Sequence, residues 1–346
     1  MNRIINKISS LLIVFLAVGI LFAGCSDEAS EPTPDVSHIP VRLSLQRFDQ
    51  ALFAIDTAHL DEGLRNAAQT YPDFFPFFLT EIVHDPSDRS ENPEAALKGF
   101  VTAPQVRRLN DSCQAVFGNM QDVRKDLEQL FRFYKYYLPE KKEPAVVTAV
   151  TEFIGDAYLV NDTLLMLGLD FFLGENFSGY NPELFPQYLR RQFSKEFLPV
   201  KTAFALSAAA IGPPSGDRII DHMINNGKIL YLQDRLIPSV PDSMLMGYTM
   251  QEMEETYVNE QEVWARLLDM KVLYEPLSVK NRKIVEPGPK SDNVFQEAPG
   301  QIGNWIGWQI VKAYMKRHPD ATIKDLIGLR DAQQLMEQAK YKPKRK

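Results

Sequence analysis

The sequence predicts a mainly α-helical α+β fold, with helices around a small antiparallel sheet at about residues 144–173. Three observations carry this. Apolar residues recur three and four apart from Leu45 to about Leu138, short β-rich runs fill 144–173, and helical spacing returns after Asn181. No linker interrupts the chain after residue 40, so 41–343 reads as a single globular domain.

The N-terminus comes first. "MNRIINK" carries Arg3 and Lys7, followed by "LLIVFLAVGILFAGC", apolar and ending in small residues. A basic start, an apolar core and a small-residue cleavage site make residues 1–24 a secretory signal. "FAGC" matches the bacterial lipobox, with Phe22 where leucine is more usual, so Cys25 is the expected lipidation site. The alternative is an uncleaved anchor, but Ile8–Ala23 has 16 residues, against about 20 needed to span a bilayer. Ser26 after the cysteine favours the outer membrane. The acids in "CSDEASE" read either as a surface-export tag or as a solvated stretch of the flexible tether, residues 25–40.

Acylation of Cys25 would leave Cys113 as the single thiol, so no intrachain disulfide is expected and the core must supply the stability. The formal charge of −7 gives no basic domain for nucleic acid. The basic cluster "KYKPKRK" reads as a soluble end.

Along the domain, "RFDQALFAI" and "VRKDLEQLFRFYKYYL" have helical spacing. In "TYPDFFPFFLTEIV", Pro72 and Pro76 force a break and restart, and its aromatic residues are expected to plug the core. "AVVTAV", "AYLV" and "TLLMLGLDFFLG" read as three strands separated by turns.

Two later helices invite a reading by position. In "RIIDHMINNGKILYLQDRL", residues 218–236, His222 and Asn226 stand four apart, where side chains meet. Gly227 inside that helix costs about 1 kcal/mol relative to alanine. A close neighbouring backbone, a ligand or a helix break would each explain it. In "TMQEMEETYVNEQEVWARLLDMKVLY", residues 249–274, Thr249 and Glu252 form a capping box. The expected buried stripe is Met253, Tyr257, Glu260, Trp264 and Leu267. A carboxylate on such a stripe needs a partner. Either Glu260 pairs structurally, with Arg190 or Arg191 for example, or it marks a site. His222, Asn226, Gly227, Glu260 and Trp264 are therefore the candidate pocket.

The five histidines, at 38, 59, 84, 222 and 318, include no pair four apart, which excludes a histidine-based zinc protease. No nucleophile elbow, phosphate loop or dinucleotide fingerprint occurs. In "PGQIGNWIGWQIVKAYM", Gly303 and Gly307 read as points of close helix packing, with Trp305 and Trp308 anchoring on either side. No metal, cofactor or catalytic residue is expected.

Several segments together resemble the gliding-motility lipoprotein GldB family of Bacteroidota. They are "RFDQALF", "YPDFFPFFL", "NDTLLMLGLDFFLG", "DHMINNGKILY", "NEQEVW", "APGQIGNWIGWQIVKAYM" and "AKYKP", in the family's order across residues 44–343 and behind a lipobox. The resemblance implies a non-enzymatic outer-membrane lipoprotein supporting gliding motility or the associated envelope and secretion machinery. Its partners would be the membrane, through the lipid, and other envelope proteins. The family is also similar to a group of predicted zinc peptidases. "FLPVKTAFALSAAAIGPP" stands where their zinc-binding helix would fall and Asn226 where a third ligand would be. This implies a degenerate zincin-like scaffold, and the alternative function is a ligand-binding or altered hydrolase cleft around Glu260, Asn226 and His222.

Overall fold

Strand β1 (Leu45–Arg47) opens the domain and pairs in parallel with β2 (Ala145–Ala149), which pairs in parallel with β4 (Leu164–Gly168). Strand β3 (Ala157–Asn161) lies antiparallel on the outer side of β4, giving the order β1-β2-β4-β3. This computed structural model describes residues 32–83, 92–291, 294 and 297–343. The signal segment, Cys25, most of the tether and His84 lie outside the described residues. Residues Val36–Lys346 form one compact unit.

The sheet corrects two expectations. The three strands sit where the sequence predicts, but the sheet is mixed rather than antiparallel, and it has a fourth strand. Only the tight turn between β3 and β4 makes a hairpin, while the link from β2 to β3 passes over the place that β4 fills. The composition agrees. β4, "LLMLG", is buried along its whole length, as expected of a strand covered on both faces. The edge strand "AYLVN" stays partly exposed.

Between β1 and β2 run helices α1 (Phe48–Phe53), α2 (Leu60–Thr70), α3 (Pro93–Thr102), α4 (Pro104–Phe117) and α5 (Gln121–Tyr137). Phe48 is fully buried, and its ring meets Tyr71, Phe74, Phe75 and Phe78 edge-on at 4.9–6.4 Å. The proline-broken aromatic run thus does plug the core, around the phenylalanine of "RFDQALF". The same motif holds a buried charge pair. Arg47 donates through Nε and Nη2 to the wholly buried Asp49 carboxylate at 3.0 and 2.7 Å, and Gln114 and Thr148 donate to it as well. Asp170, just after β4, accepts the backbone N–H groups of Thr151 and Phe153 at 2.9 and 2.7 Å. Glu152 and Phe153 are both left-handed, so this carboxylate holds a turn the residues alone would not favour. Burial raises its pKa to about 6, against those hydrogen bonds.

The second half contains α6 (Leu198–Ile211), α7 (Ile219–Leu236), α8 (Asp242–Met246), α9 (Met250–Val258), α10 (Glu260–Asp269), α11 (Ile302–Arg317), α12 (Ile323–Gly328) and α13 (Ala332–Ala339). Helices α7 and α11 pack against each other more extensively than any other two elements, and small residues allow it. A Cβ at Gly227 would fall 2.3 Å from the carbonyl carbon of Gly307, and one at Gly307 1.9 Å from the Met223 oxygen. Of the readings open for Gly227, a close neighbouring backbone is the one found.

The single helix expected over 249–274 is two. Thr249 and Glu252 form the anticipated capping box, but the helix ends at Asn259, and α10 starts again at Glu260. The break rotates the buried face. Met253 and Thr256 are covered on α9, Val263 and Leu267 on α10, and Tyr257 is exposed. Glu260 thereby falls in the first turn of a helix, where a carboxylate complements free N–H groups, and not in the middle of a buried stripe.

A neutral cleft as the candidate functional site

Helix α7 presents Asn226, Ile229, Leu230 and Gln233 to one side, at helical spacing. Across from them stand Val200 and Phe204 of α6, the methionines of α8 and the turn at Val285–Pro287, around a cleft of about 370 Å³. Its polar side chains are the amides of Gln192, Asn226, Gln233, Gln301 and Asn304 and two opposite charges, Lys201 and Glu286. Asn226 donates to Asn304 Oδ1 at 2.9 Å and to the Val285 carbonyl at 3.4 Å. Asn304 donates to the same carbonyl at 3.0 Å, and Gln301 reaches the Met246 carbonyl at 2.7 Å. A backbone carbonyl only accepts, so these contacts fix which end of each amide is nitrogen.

Gln233 differs. Its nitrogen donates to the Val200 carbonyl at 3.0 Å, while Oε1 is buried with no protein donor in reach. The residue is 1% exposed. An unpaired buried acceptor costs about 1–3 kcal/mol.

The five predicted pocket residues do not share this cleft. Asn226 lines it. Gly227 is turned to α11, and half-buried His222 lies one turn before Asn226, outside the lining. Glu260 and Trp264 belong elsewhere. The Glu260 carboxylate accepts the Tyr341 hydroxyl at 2.7 Å, and the Trp264 ring meets Tyr341 edge-on at 5.5 Å. Glu260 is thus paired, by a C-terminal tyrosine rather than by Arg190 or Arg191. Arg191 instead bridges Glu252 at 2.6 Å. Burial, then the Glu260 charge, pushes the Tyr341 phenol upward.

Sequence reasoning missed Gln233, Asn304 and Gln301. A signal for Gln233 existed, since it stands seven residues after Asn226 and hence on the same face. Asn304 was hidden inside a segment whose glycines drew the attention.

On the far side of α7, buried Lys228 donates to the Leu329 carbonyl. Arg330 beside it donates to the Ile211 and Pro213 carbonyls, both at 2.9 Å. Burial, and secondarily the Arg330 charge, lowers the Lys228 pKa to about 8. These two cations tie the C-terminal segment to α6 and α7.

Among the described residues no three His, Cys, Asp or Glu side chains gather as a metal site, and no helix is long and apolar enough to cross a membrane. The family model of gliding motility protein GldB matches residues 29–343. This chain belongs to the GldB family. No curated protein and no solved structure matches it. The GldB match runs through both halves of the fold, taking in the Arg47–Asp49 pair, the α7–α11 contact and the cleft.

Proposed function

We propose that this GldB-family protein is an outer-membrane lipoprotein, anchored through Cys25, that supports the envelope machinery of gliding or of the associated secretion without catalysing a reaction. The observation that carries the reading is the family match over residues 29–343, with a lipobox directly before it. Ser26 supports sorting to the outer membrane. The amide character of the cleft and the spacing of the histidines support a non-enzymatic role, since neither supplies a general base beside a nucleophile or a ligand set. A zincin-like ancestry rests on the family resemblance alone, which sets "FLPVKTAFALSAAAIGPP" and Asn226 where zinc peptidases carry ligands, so that α6 and α7 would correspond to the former metal helices. Its partners on this reading are the membrane and other envelope proteins.

Metabolic labelling with a palmitate analogue tests the anchor. Wild type should be tagged and Cys25→Ala should not, and Cys25→Ala should fail to restore gliding or secretion to cells lacking the protein. An unlabelled, freely soluble wild type would overturn the reading. Protease treatment of intact and permeabilised cells then assigns the face. Cleavage in intact cells places the domain on the surface, and protection until permeabilisation places it in the periplasm.

A further inference from the structure

We propose that the outer face of α9, with the start of α10, docks a cationic amphipathic helix of another protein. The inference is independent of the anchor and of the cellular role. Helix α9 carries its apolar residues on the solvent side. Toward the core it turns Met253 and Thr256, the latter fully buried with its hydroxyl bonded to the Glu252 carbonyl at 2.7 Å. Toward solvent it shows Met250, Tyr257 and Val258, exposed by 71%, 49% and 49%. These three stand at i, i+7 and i+8, on one face of the helix. A surface helix ordinarily turns its apolar stripe inward, and apolar residues grouped on an outer face mark a contact.

Charge narrows the partner. On the two helices Glu252 is bridged by Arg191, Glu260 holds the Tyr341 hydroxyl, and Asp269 meets Arg266 at 3.2 Å. Glu254, Glu255 and Glu262 have no cation partner among the described residues, and Glu254 lies one turn from both Met250 and Val258. Such a face is repelled by an anionic membrane surface, which attracts Lys and Arg instead. Symmetric pairing of two copies would set these carboxylates against one another. Lysine or arginine flanking an apolar strip is what complements it. Conformation follows from the surface itself. A helix offers side chains and no strand edge, so an extended segment would find no backbone ladder here. A helix brings its own backbone hydrogen bonds and packs side chain into side chain.

The test places photo-reactive p-benzoylphenylalanine at exposed Gln251 of the full chain, leaving the apolar residues and the three carboxylates in place. After illumination of the native cells, mass spectrometry reads the sequence of the captured segment. It should come from another protein and show apolar residues three and four apart, flanked by Lys or Arg. The same probe at Val279, 81% exposed and outside these helices, should not capture it. Glu254→Lys combined with Glu262→Lys should lower the yield about tenfold, as the loss of two exposed ion pairs gives. Both glutamates are exposed, and circular dichroism should show this variant folded. Capture of lipid, of a second copy, of the chain's own basic segment from Lys340 onward, or of a segment without that pattern would overturn the proposal. So would no capture above the Val279 level, or a yield indifferent to the charge reversal. The wild-type segment decides even if the variant does not fold.

Discussion

Gly227 and Gly307 face each other so closely that a methyl group on the first would stand 2.3 Å from the carbonyl carbon of the second. Alanine at either position improves helix propensity by about 1 kcal/mol, yet overpacking of this kind costs about 1–3 kcal/mol or more. Gly227→Ala and Gly307→Ala should therefore both lower the urea midpoint. Because both force the same two helices apart, the double variant should lose less than the sum of the single losses.

The Arg47–Asp49 pair gives a second expectation. Arg47→Met would leave a wholly buried carboxylate without its cation, and breaking such a pair costs about 3–5 kcal/mol. Chemical denaturation should show a loss of that size. Adding Asp49→Leu should recover part of it, since the stranded charge is then gone.

Lys228 predicts a pH effect of definite sign. Its pKa is about 8 in the folded chain, against roughly 10.4 for an unfolded lysine. Between those values the unfolded chain holds a proton that the folded chain has released, so this residue makes stability rise with pH across that window. Denaturation midpoints of wild type relative to Lys228→Met should climb from about pH 8 to about pH 10 and stay level below pH 7. A difference that falls with pH would contradict the burial of the ammonium.

The Glu260–Tyr341 contact predicts a structural and not a functional phenotype. Tyr341→Phe should cost about 0.5–1.5 kcal/mol, the net worth of one hydrogen bond, and Glu260→Ala should restore gliding or secretion as well as wild type does. Tyr341→Ala should also shift tryptophan emission to the red. Trp264 is half-buried against that ring, while Trp305 and Trp308 are enclosed and should not respond.

Metal should have no effect on stability. Neither added zinc nor a chelator is expected to move Tm, because among the described residues no three ligating side chains gather to bind metal in the folded state. A concentration-dependent rise of Tm with zinc would revive the metallopeptidase reading.

Most of the helices and three of the four strands were legible from periodicity, because a two-residue or a 3.6-residue repeat survives in the sequence wherever one face is buried. Leu45–Arg47 was not. Three residues cannot show a period, and "RFDQALF" carries the helical spacing of the helix that follows. Parallel pairing of β2 with β4 was equally hidden, since pairing is a property of two distant segments. The division at Asn259 failed for a different reason: the apolar spacing continues across it, and only the backbone shows the turn. Asn226 could be singled out because it stood beside a glycine that needed explaining. The place of Gln233 on the Asn226 face was legible in its seven-residue spacing, but its orphaned acceptor was not, since that is defined by its surroundings and not by its neighbours in sequence.

The strand order has a consequence for the newborn chain. Gln46 and Thr148, joined across β1 and β2, are 102 residues apart. Synthesis delivers β1 first, and it must wait, unpaired, while α1 to α5 and the aromatic run between α2 and α3, and then its partner, are made. Contacts of such long range close slowly, so the domain stays open for threading until its middle has arrived. β4 completes the set last, entering between β2 and β3 like a keystone.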